Sequence, residues 1–323
     1  MRHRGIAKLG LVMTAVLASA ALATSMAAAQ EQLGQVQFKV SCTAEAQTKF
    51  NRAMALYHSF AWKAAGPAFT EIGQLDPKCA MAWWGLAMNA AENPFGWPVG
   101  MKLAEGAEAI QKAQQVGAGT ARERDYIAAL ELLYRDHASV PHRQRALAYE
   151  EAMGKLAERY PDDVEAKILY ALTVSGNHDL NDKTFARPLK AAGLLEPLFV
   201  SLPNHPGVAH YLIHSYDYPP IAQKGVVAAR RYAQVAPSAP HAQHMPSHIF
   251  TRVGAWSDSI TANQRSVQAA VGDPRYTAHG MDYMVYAHLQ LAQDTRAAGV
   301  FAESATAVRP EKGKAGFAEA FGL

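Results

Sequence analysis

The sequence predicts an all-α fold in which antiparallel helix pairs stack one after another into an α-solenoid. Apolar residues recur at the spacing of a helix face in one segment after another. Proline-containing breaks close successive units at intervals of 34 to 42 residues, a period typical of two-helix repeats. No stretch alternates Val, Ile or Thr with polar residues, which is the pattern of a half-buried strand. Each unit should pack on its neighbours, so one continuous array is expected.

Residues 43–77 form the clearest repeat. Phe50 and Tyr57 lie on one face of a first helix, and Phe69 lies on the apolar face of a second. Pro77 closes the unit. It is also expected to begin the next helix, because the first turn of a helix needs no backbone N–H at that position.

Later units end at similar breaks, and alanine-rich segments such as 186–199 and 222–235 supply second helices. The closing prolines are Pro161, Pro203, Pro237, Pro274 and Pro310. The repeat domain is therefore predicted to span residues 43–310, after a lead segment over 30–42. Residues 311–323 read as a tail or an incomplete next repeat. Because a solenoid needs a cap on its last apolar face, self-association through the C-terminal end is an expectation.

Residues 1–29 have the composition of a secretory signal peptide. A positively charged start precedes the apolar run 9–22 and the small residues 27–29. The alternative is an uncleaved membrane anchor, since the uncharged stretch is nearly long enough to span a bilayer. No later segment approaches 18 consecutive apolar residues. A periplasmic or secreted protein, with no membrane insertion after signal cleavage, is therefore expected.

The charge balance excludes one class of partner. The chain has 31 Lys plus Arg and 28 Asp plus Glu, and the excess of three equals the three basic residues within 1–29. The rest of the chain is formally neutral and lacks the basic excess that nucleic-acid binding requires. No nucleic-acid partner is expected.

The chain has two cysteines, Cys42 and Cys79. Both fall at the starts of first helices in adjacent repeats, and adjacent helices lie about 8–10 Å apart. An exported chain meets an oxidising compartment, where a disulfide persists. We expect a disulfide with Cα atoms within about 7 Å; the alternative is a pair of unpaired buried thiols.

Histidines recur with the repeat. His210 and His214 are four residues apart, as are His244 and His248, and the second pair follows the first by 34 residues. His279 follows His244 by 35 residues. Residues four apart lie one turn apart on the same helix face. The histidines are therefore predicted to form a ladder along equivalent faces of neighbouring helices.

The pattern of Trp83, Leu86, Ala65 and Phe69, with Asp-Pro closure of the unit, resembles the tetratricopeptide repeat over most of residues 43–310. The segments HPGVAHYLIHSYD and PHAQHMPSHIFTRVGAW resemble motifs of a group of exported bacterial tetratricopeptide proteins. The resemblance implies an α-solenoid whose first helices line a concave groove, with a recurring histidine set. It implies no particular reaction.

A transition-metal site is one interpretation of the ladder. His210, His214, His244 and His248 would supply three or four imidazoles, with Asp217 as a ligand or an orienting group. Imidazole ligands suit zinc, copper, iron or nickel. Further groove candidates are His178, His205, His241, His279 and Asp282. We expect the four ladder histidines to converge on one cluster.

Within that hypothesis, Asp217 or His178 should lie close enough to orient a ring or complete the ligand set. His58 is expected to end a helix rather than to bind a ligand. The alternative for the whole ladder is a row of hydrogen-bonded polar side chains that holds no metal. Gene duplication would give such a row the same periodicity.

The sequence leaves the choice between a binding protein and an enzyme open. It contains no H-E-x-x-H, G-x-S-x-G, P-loop or dinucleotide-binding motif in a suitable context. The first functional hypothesis is an exported scaffold that binds a peptide or protein partner in its concave groove. The second is a metal-dependent protein or enzyme whose groove histidines hold a transition metal.

Overall fold

The computed structural model describes residues 31–270 and 273–307. Within these ranges every regular element is a helix, which confirms the all-α prediction. The predicted signal segment 1–29 and C-terminal tail 311–323 lie outside the described residues. Among the residues that are described, no helix is long and apolar enough to cross a membrane.

The helices follow one another with short connections. They are α1 (Ala44–His58), α2 (Trp62–Leu75), α3 (Ala80–Ala91), α4 (Leu103–Val116), α5 (Ala121–Tyr134), α6 (His142–Arg159), α7 (Val164–Gly176), α8 (Ala186–Ser201), α9 (Pro206–Tyr216), α10 (Val226–Val235), α11 (Pro240–His244), α12 (Pro246–Arg252), α13 (Trp256–Ala269), α14 (Pro274–Gln290) and α15 (Asp294–Ala307). Short 3₁₀ turns occur at Pro94–Gly96 and Ala222–Gly225.

Each helix packs chiefly on its neighbours in sequence, which is the arrangement of a solenoid. The first helices of successive pairs are α1, α3, α5, α7, α9, the short α11 with α12, and α14. Contacts between α1 and α9 and between α7 and the Pro94–Gly96 turn join distant repeats. These contacts bring the end of α1 to the histidine-bearing helices.

Side-chain caps determine where several first helices begin. Thr43 accepts a hydrogen bond from the Ala46 N–H at the start of α1, and Asp163 and Asp273 cap α7 and α14 in the same way. Each cap satisfies a backbone donor that has no partner within the helix. At α14, the cap sets the start of the helix that carries His279.

The prediction that Pro77 begins a helix is wrong. The next helix, α3, begins at Ala80 with Cys79 as its N-cap residue. The Cys79 N–H bonds to the Asp76 carbonyl at 2.9 Å, so Pro77 lies inside a tight turn. The residues that were expected to form the first helical turn therefore form this tight turn instead.

The break inside the second histidine motif was also not anticipated. Helix α11 ends at His244 and α12 begins at Pro246. Proline has no N–H to donate to the preceding turn and clashes with it, so within a helix it is best tolerated in the first turn. Across the break, His244 of α11 and His248 of α12 still meet, with their Nε2 atoms 2.9 Å apart.

Residues 33–41 run in an extended conformation against the first helices. Alternate side chains are buried, and Phe38 packs edge-on against Phe50 and Trp84. The Phe38 and Val40 amides donate to side-chain oxygens on α1. Residues 33–41 therefore cover part of the first-helix face, where we expected a partner peptide to bind.

The disulfide between Cys42 and Cys79 is confirmed, with a Cα–Cα distance of 5.0 Å. Cys42 ends the extended segment, and Cys79 caps α3. The bond therefore ties the lead segment to the second repeat.

Replacing both cysteines with serine should lower the free energy of unfolding by about 2–4 kcal/mol, because the bond closes a loop of 37 residues and restricts the unfolded chain. Urea unfolding followed by circular dichroism measures the change. Reduction of the wild-type protein should give the same midpoint as the double variant. Equal midpoints for oxidised wild type and the double variant would contradict the prediction.

Candidate metal centre

Three histidines converge at the first of two sites, which we call cluster A: His210, His214 and His241. The Nε2 atom of His210 lies 3.1 Å from Nε2 of His214 and 3.1 Å from Nε2 of His241. One ring nitrogen from each residue falls within a mutual distance of 4.8 Å. Such a set offers the imidazole ligands that suit a transition-metal ion.

A second set, cluster B, consists of His244, His248 and His279. The Nε2 atoms of His244 and His248 are 2.9 Å apart, and a ring nitrogen of His279 completes the group within 4.8 Å. Two nitrogens bound to one ion at about 2.0–2.1 Å would lie roughly 3–3.4 Å apart in near-tetrahedral geometry. The two 3.1 Å separations in cluster A and the 2.9 Å separation in cluster B are close to that range.

The expected single cluster of four histidines is therefore replaced by two clusters of three. The four-residue spacing does place His210 and His214 on one face of α9. On α11, however, His241 points to cluster A and His244 to cluster B. His279, which had been expected only to line the groove, comes from α14 and completes cluster B.

The outer nitrogens of three rings are held by hydrogen-bond acceptors. His210 Nδ1 donates to the backbone carbonyl of His58 at 2.6 Å, and His248 Nδ1 donates to Asp217 Oδ2 at 2.7 Å. His244 Nδ1 faces the side-chain oxygen of Asn263 at 2.6 Å. A metal-binding histidine typically has such a partner, which fixes the ring and its tautomer.

The orientation of Asn263 determines the tautomer of His244. The Asn263 amide nitrogen donates to the Ser259 carbonyl at 2.9 Å, so its oxygen must face His244. His244 Nδ1 therefore carries the proton, and its Nε2 presents a lone pair to His248. Since His248 Nδ1 is likewise committed to Asp217, two ring nitrogens face each other at 2.9 Å.

Burial favours the uncharged form of five of these imidazoles. It lowers the pKa of His210 to about 3 and that of His279 to about 4. Burial and the neighbouring rings also hold the pKa values of His214, His241 and His244 well below the ordinary value. Neutral imidazole is the form that binds a metal.

The surroundings of Asp217 favour its charged form, whereas those of the buried histidines favour the neutral form. Burial by itself would raise the pKa of its carboxyl group, but His248 and Arg252 outweigh burial and lower it. Arg252 Nε donates to the second carboxylate oxygen at 2.9 Å. The aspartate is therefore an ionised group that orients His248.

Aromatic rings enclose both clusters. Phe60 contacts His210 at a centroid distance of 4.4 Å, and Phe95 stacks on His214 at 3.8 Å. Phe60 has a φ of 52°, a conformation that costs energy in a residue with a side chain. At cluster B, the Tyr283 hydroxyl lies 3.4 Å from His248 Nε2. Apolar walls around a few polar atoms are typical of ligand and cofactor sites.

Three residues that the sequence offered as groove candidates lie outside the clusters. His178 contacts Phe185 and Tyr218 instead, so the expectation that it orients a ladder ring is wrong. Asp282 is exposed on α14, because its neighbour Tyr283 takes the inward position four residues after His279. His205 is buried elsewhere, at the start of α9.

His205 belongs to a buried group with Glu165 and His58. Glu165 accepts from His58 Nε2 at 3.0 Å and from His205 Nε2 at 2.9 Å. Burial opposes ionisation, yet the two imidazoles hold the pKa of the Glu165 carboxyl well below its usual range. The three residues also have metal-ligand spacing, although direct hydrogen bonds already join them.

The sequence interpretation missed His58 as a site residue. It does end α1, as expected, but its carbonyl fixes His210 and its ring joins Glu165. No local pattern indicates this, because the partners are more than a hundred residues away. Tyr283, in contrast, could have been predicted from the sequence. It follows His279 by four residues, the same spacing that separates the two histidines within each ladder pair.

Acidification should destabilise the metal-free protein. Below pH 6.5 an unfolded chain protonates its histidines, while burial keeps His210 and His279 neutral in the folded state down to their lowered pKa values. The unfolded state then binds more protons, so this stability is complete above pH 6.5 and is lost as the pH falls. For each such histidine, the free energy of unfolding falls by up to about 1.4 kcal/mol per pH unit below 6.5.

Urea unfolding in the presence of a chelator, measured between pH 7.5 and 5, tests this prediction. The unfolding midpoint should be flat above pH 6.5 and fall steeply below it. A midpoint that stays constant down to pH 5 would contradict it.

Neither a scan against protein-family models nor a search of curated proteins finds a match to this chain.

Proposed function

We propose that this chain is an exported, tetratricopeptide-like metalloprotein in which clusters A and B bind transition-metal ions. The observation that carries the proposal is the pair of facing nitrogens, His244 Nε2 and His248 Nε2, 2.9 Å apart. The other nitrogen of each ring already donates to an acceptor, Asn263 or Asp217. Two lone pairs at this distance repel each other unless a cation lies between them. That cation is either a proton or a metal ion.

This chemistry favours a metal over a simple hydrogen-bonded ladder. A ladder needs a donor and an acceptor at every step, and the tautomers fixed by Asn263 and by the His58 carbonyl leave His244 and His210 as acceptors only. Cluster A brings two further imidazoles to His210 Nε2, and one acceptor nitrogen cannot satisfy both well. A metal ion accepts all three lone pairs at once.

The ligand set indicates the kind of ion. Each cluster offers three imidazoles, and the carboxylate that touches them, Asp217, binds a ring rather than the common centre. Three neutral nitrogen ligands suit zinc or copper, with nickel and iron as alternatives, and disfavour magnesium or calcium. Three protein ligands also leave a coordination position open, as in catalytic zinc sites.

Export is part of the proposal. The Cys42–Cys79 disulfide is of a kind that persists in oxidising compartments such as the periplasm or the exterior of the cell. The composition of residues 1–29 supports the same location.

Elemental analysis of the full-length protein, purified from its native compartment without an affinity metal column, tests the proposal. We expect at least one zinc or copper ion per chain in the wild type, and loss of that metal when His214 and His248 are both replaced by alanine. The His137→Ala variant is the matched control, because His137 lies outside both clusters. A wild-type protein with no stoichiometric metal, before or after incubation with zinc or copper, would overturn the proposal.

A partner-binding function is the second candidate, at a different place. Helices α2, α3 and α4 form an open cleft of about 1120 Å³ whose lining includes Trp62, Trp83 and Lys112. We propose this cleft for a peptide or protein partner, because residues 33–41 already cover part of the first-helix face.

A photo-crosslinker at Lys112 should give a discrete crosslinked species in the exported protein. Trp83→Ala should abolish it, and absence of any such species would contradict the candidate.

A further inference from the structure

The two histidine clusters form one continuous group of rings. Between clusters, the ring centroids of His214 and His248 are 6.2 Å apart, and those of His241 and His244 are 6.1 Å apart. Within each cluster the widest pair, His214 with His241 or His248 with His279, is 6.4 Å apart. The gap between clusters is therefore no larger than the spacing inside them.

A single short helix connects the two clusters. His241 and His244 are three residues apart on α11, and one points to each cluster. Any shift of α11 moves a ligand of both clusters together. The break at Pro246 then returns His248 to the side of His244.

The charge of the ligand sets is unbalanced once ions are bound. Six neutral imidazoles contribute no negative charge, so two divalent ions would bring four positive charges into a largely buried space. Asp217 supplies one negative charge beside the rings, and Arg252 already pairs with it. Buried charge without a partner is costly, so the loaded centre should attract an anion.

We propose that clusters A and B hold two metal ions as one dinuclear centre that binds a small bridging anion, such as hydroxide, at the open positions of both ions. This inference rests on the proposed metal-binding function and deepens it. Ions in two-metal sites lie about 3.5–4 Å apart and share such a ligand. Each tri-imidazole set leaves room for it.

The side chains around the centre restrict that ligand to a small size. Phe60 and Phe95 cover cluster A, and Tyr283 packs on all three rings of cluster B. The Tyr283 hydroxyl lies within 3.4 Å of His248 Nε2, where it is placed to donate to an anion at the metal. A diatomic or triatomic anion fits this description, and a bulky organic substrate does not.

Copper(II) with azide as the added anion provides the test. Wild-type protein should bind two copper ions, and its electron paramagnetic resonance signal should integrate to far fewer than two spins per chain, because a bridging anion couples the two ions. His241→Ala and His279→Ala each remove a ligand of one cluster. Each variant should therefore bind one copper ion tightly and show one full spin, while His137→Ala should behave like wild type.

A measurement without any substitution guards against misfolded variants. Wild-type protein loaded with one equivalent of zinc and one of copper should show more detectable spin per copper ion than the dicopper protein, because a copper ion beside zinc has no paramagnetic partner. Two full spins in the dicopper protein, or a stoichiometry of one, would overturn the dinuclear centre and leave the metal-binding function intact. Failure to bind copper or zinc at all would overturn the proposed function itself.

Discussion

Replacing His214 and His248 together with alanine should weaken zinc binding by about 100-fold or more at each cluster. Structural zinc sites with four ligands bind with about 10–16 kcal/mol, so one ligand contributes roughly 3 kcal/mol. The substitution removes one imidazole from cluster A and one from cluster B. It leaves two nitrogens at each site, too few to hold an ion against a chelator.

Competition with a chromophoric chelator measures this loss, and circular dichroism verifies that the fold is retained. His178→Ala is the control, since His178 lies against Phe185 and Tyr218 rather than in a cluster. Asp217→Asn should cost less, about 10–100-fold, because it removes the group that orients His248 and not a ligand. An equal loss in the His178 control would show that the effect is not specific to the clusters.

The second large effect is expected on stability. Replacing Glu165 with alanine should lower the free energy of unfolding by about 3–5 kcal/mol, because it leaves His58 and His205 buried without the carboxylate that pairs with both. Glu165→Gln is the matched control. It keeps the shape and one acceptor oxygen, so it should lose less.

The Glu165→Ala substitution should also weaken metal binding indirectly. His58 holds His210 through its backbone carbonyl, so a displaced His58 should also weaken zinc binding at cluster A. Chemical unfolding with and without zinc separates the two effects. If Glu165→Ala is as stable as the wild type, the carboxylate is not a significant contributor and the prediction fails.

Part of the site was predictable because it depends on local geometry alone. The four-residue spacing of His210 and His214 fixes them on one face of a helix wherever that helix packs. The 34-residue period places the next pair on the neighbouring first helix. Asp217 lies at the end of α9, next to His214, so its proximity to the ladder also follows from the sequence.

The division into two clusters was not predictable in this way. It depends on how α11 packs, since His241 and His244 on that one helix join different clusters, and on where α14 places His279 relative to α11. A repeat period gives equivalent positions only when the repeats are identical. Here the sixth first helix is broken into α11 and α12, and its histidines no longer follow one line.

From the sequence alone we could predict the all-α class, the Cys42–Cys79 pair and the helix faces that carry histidine, because these depend on residues close together in the chain or on the repeat period. Only the tertiary structure decided which histidines meet and which tautomers they adopt. The acceptor that fixes His210 is a carbonyl 152 residues earlier, and the amide that fixes His244 is oriented by its own bond to Ser259. Such contacts arise when distant repeats pack together, and no local spacing in the sequence encodes them.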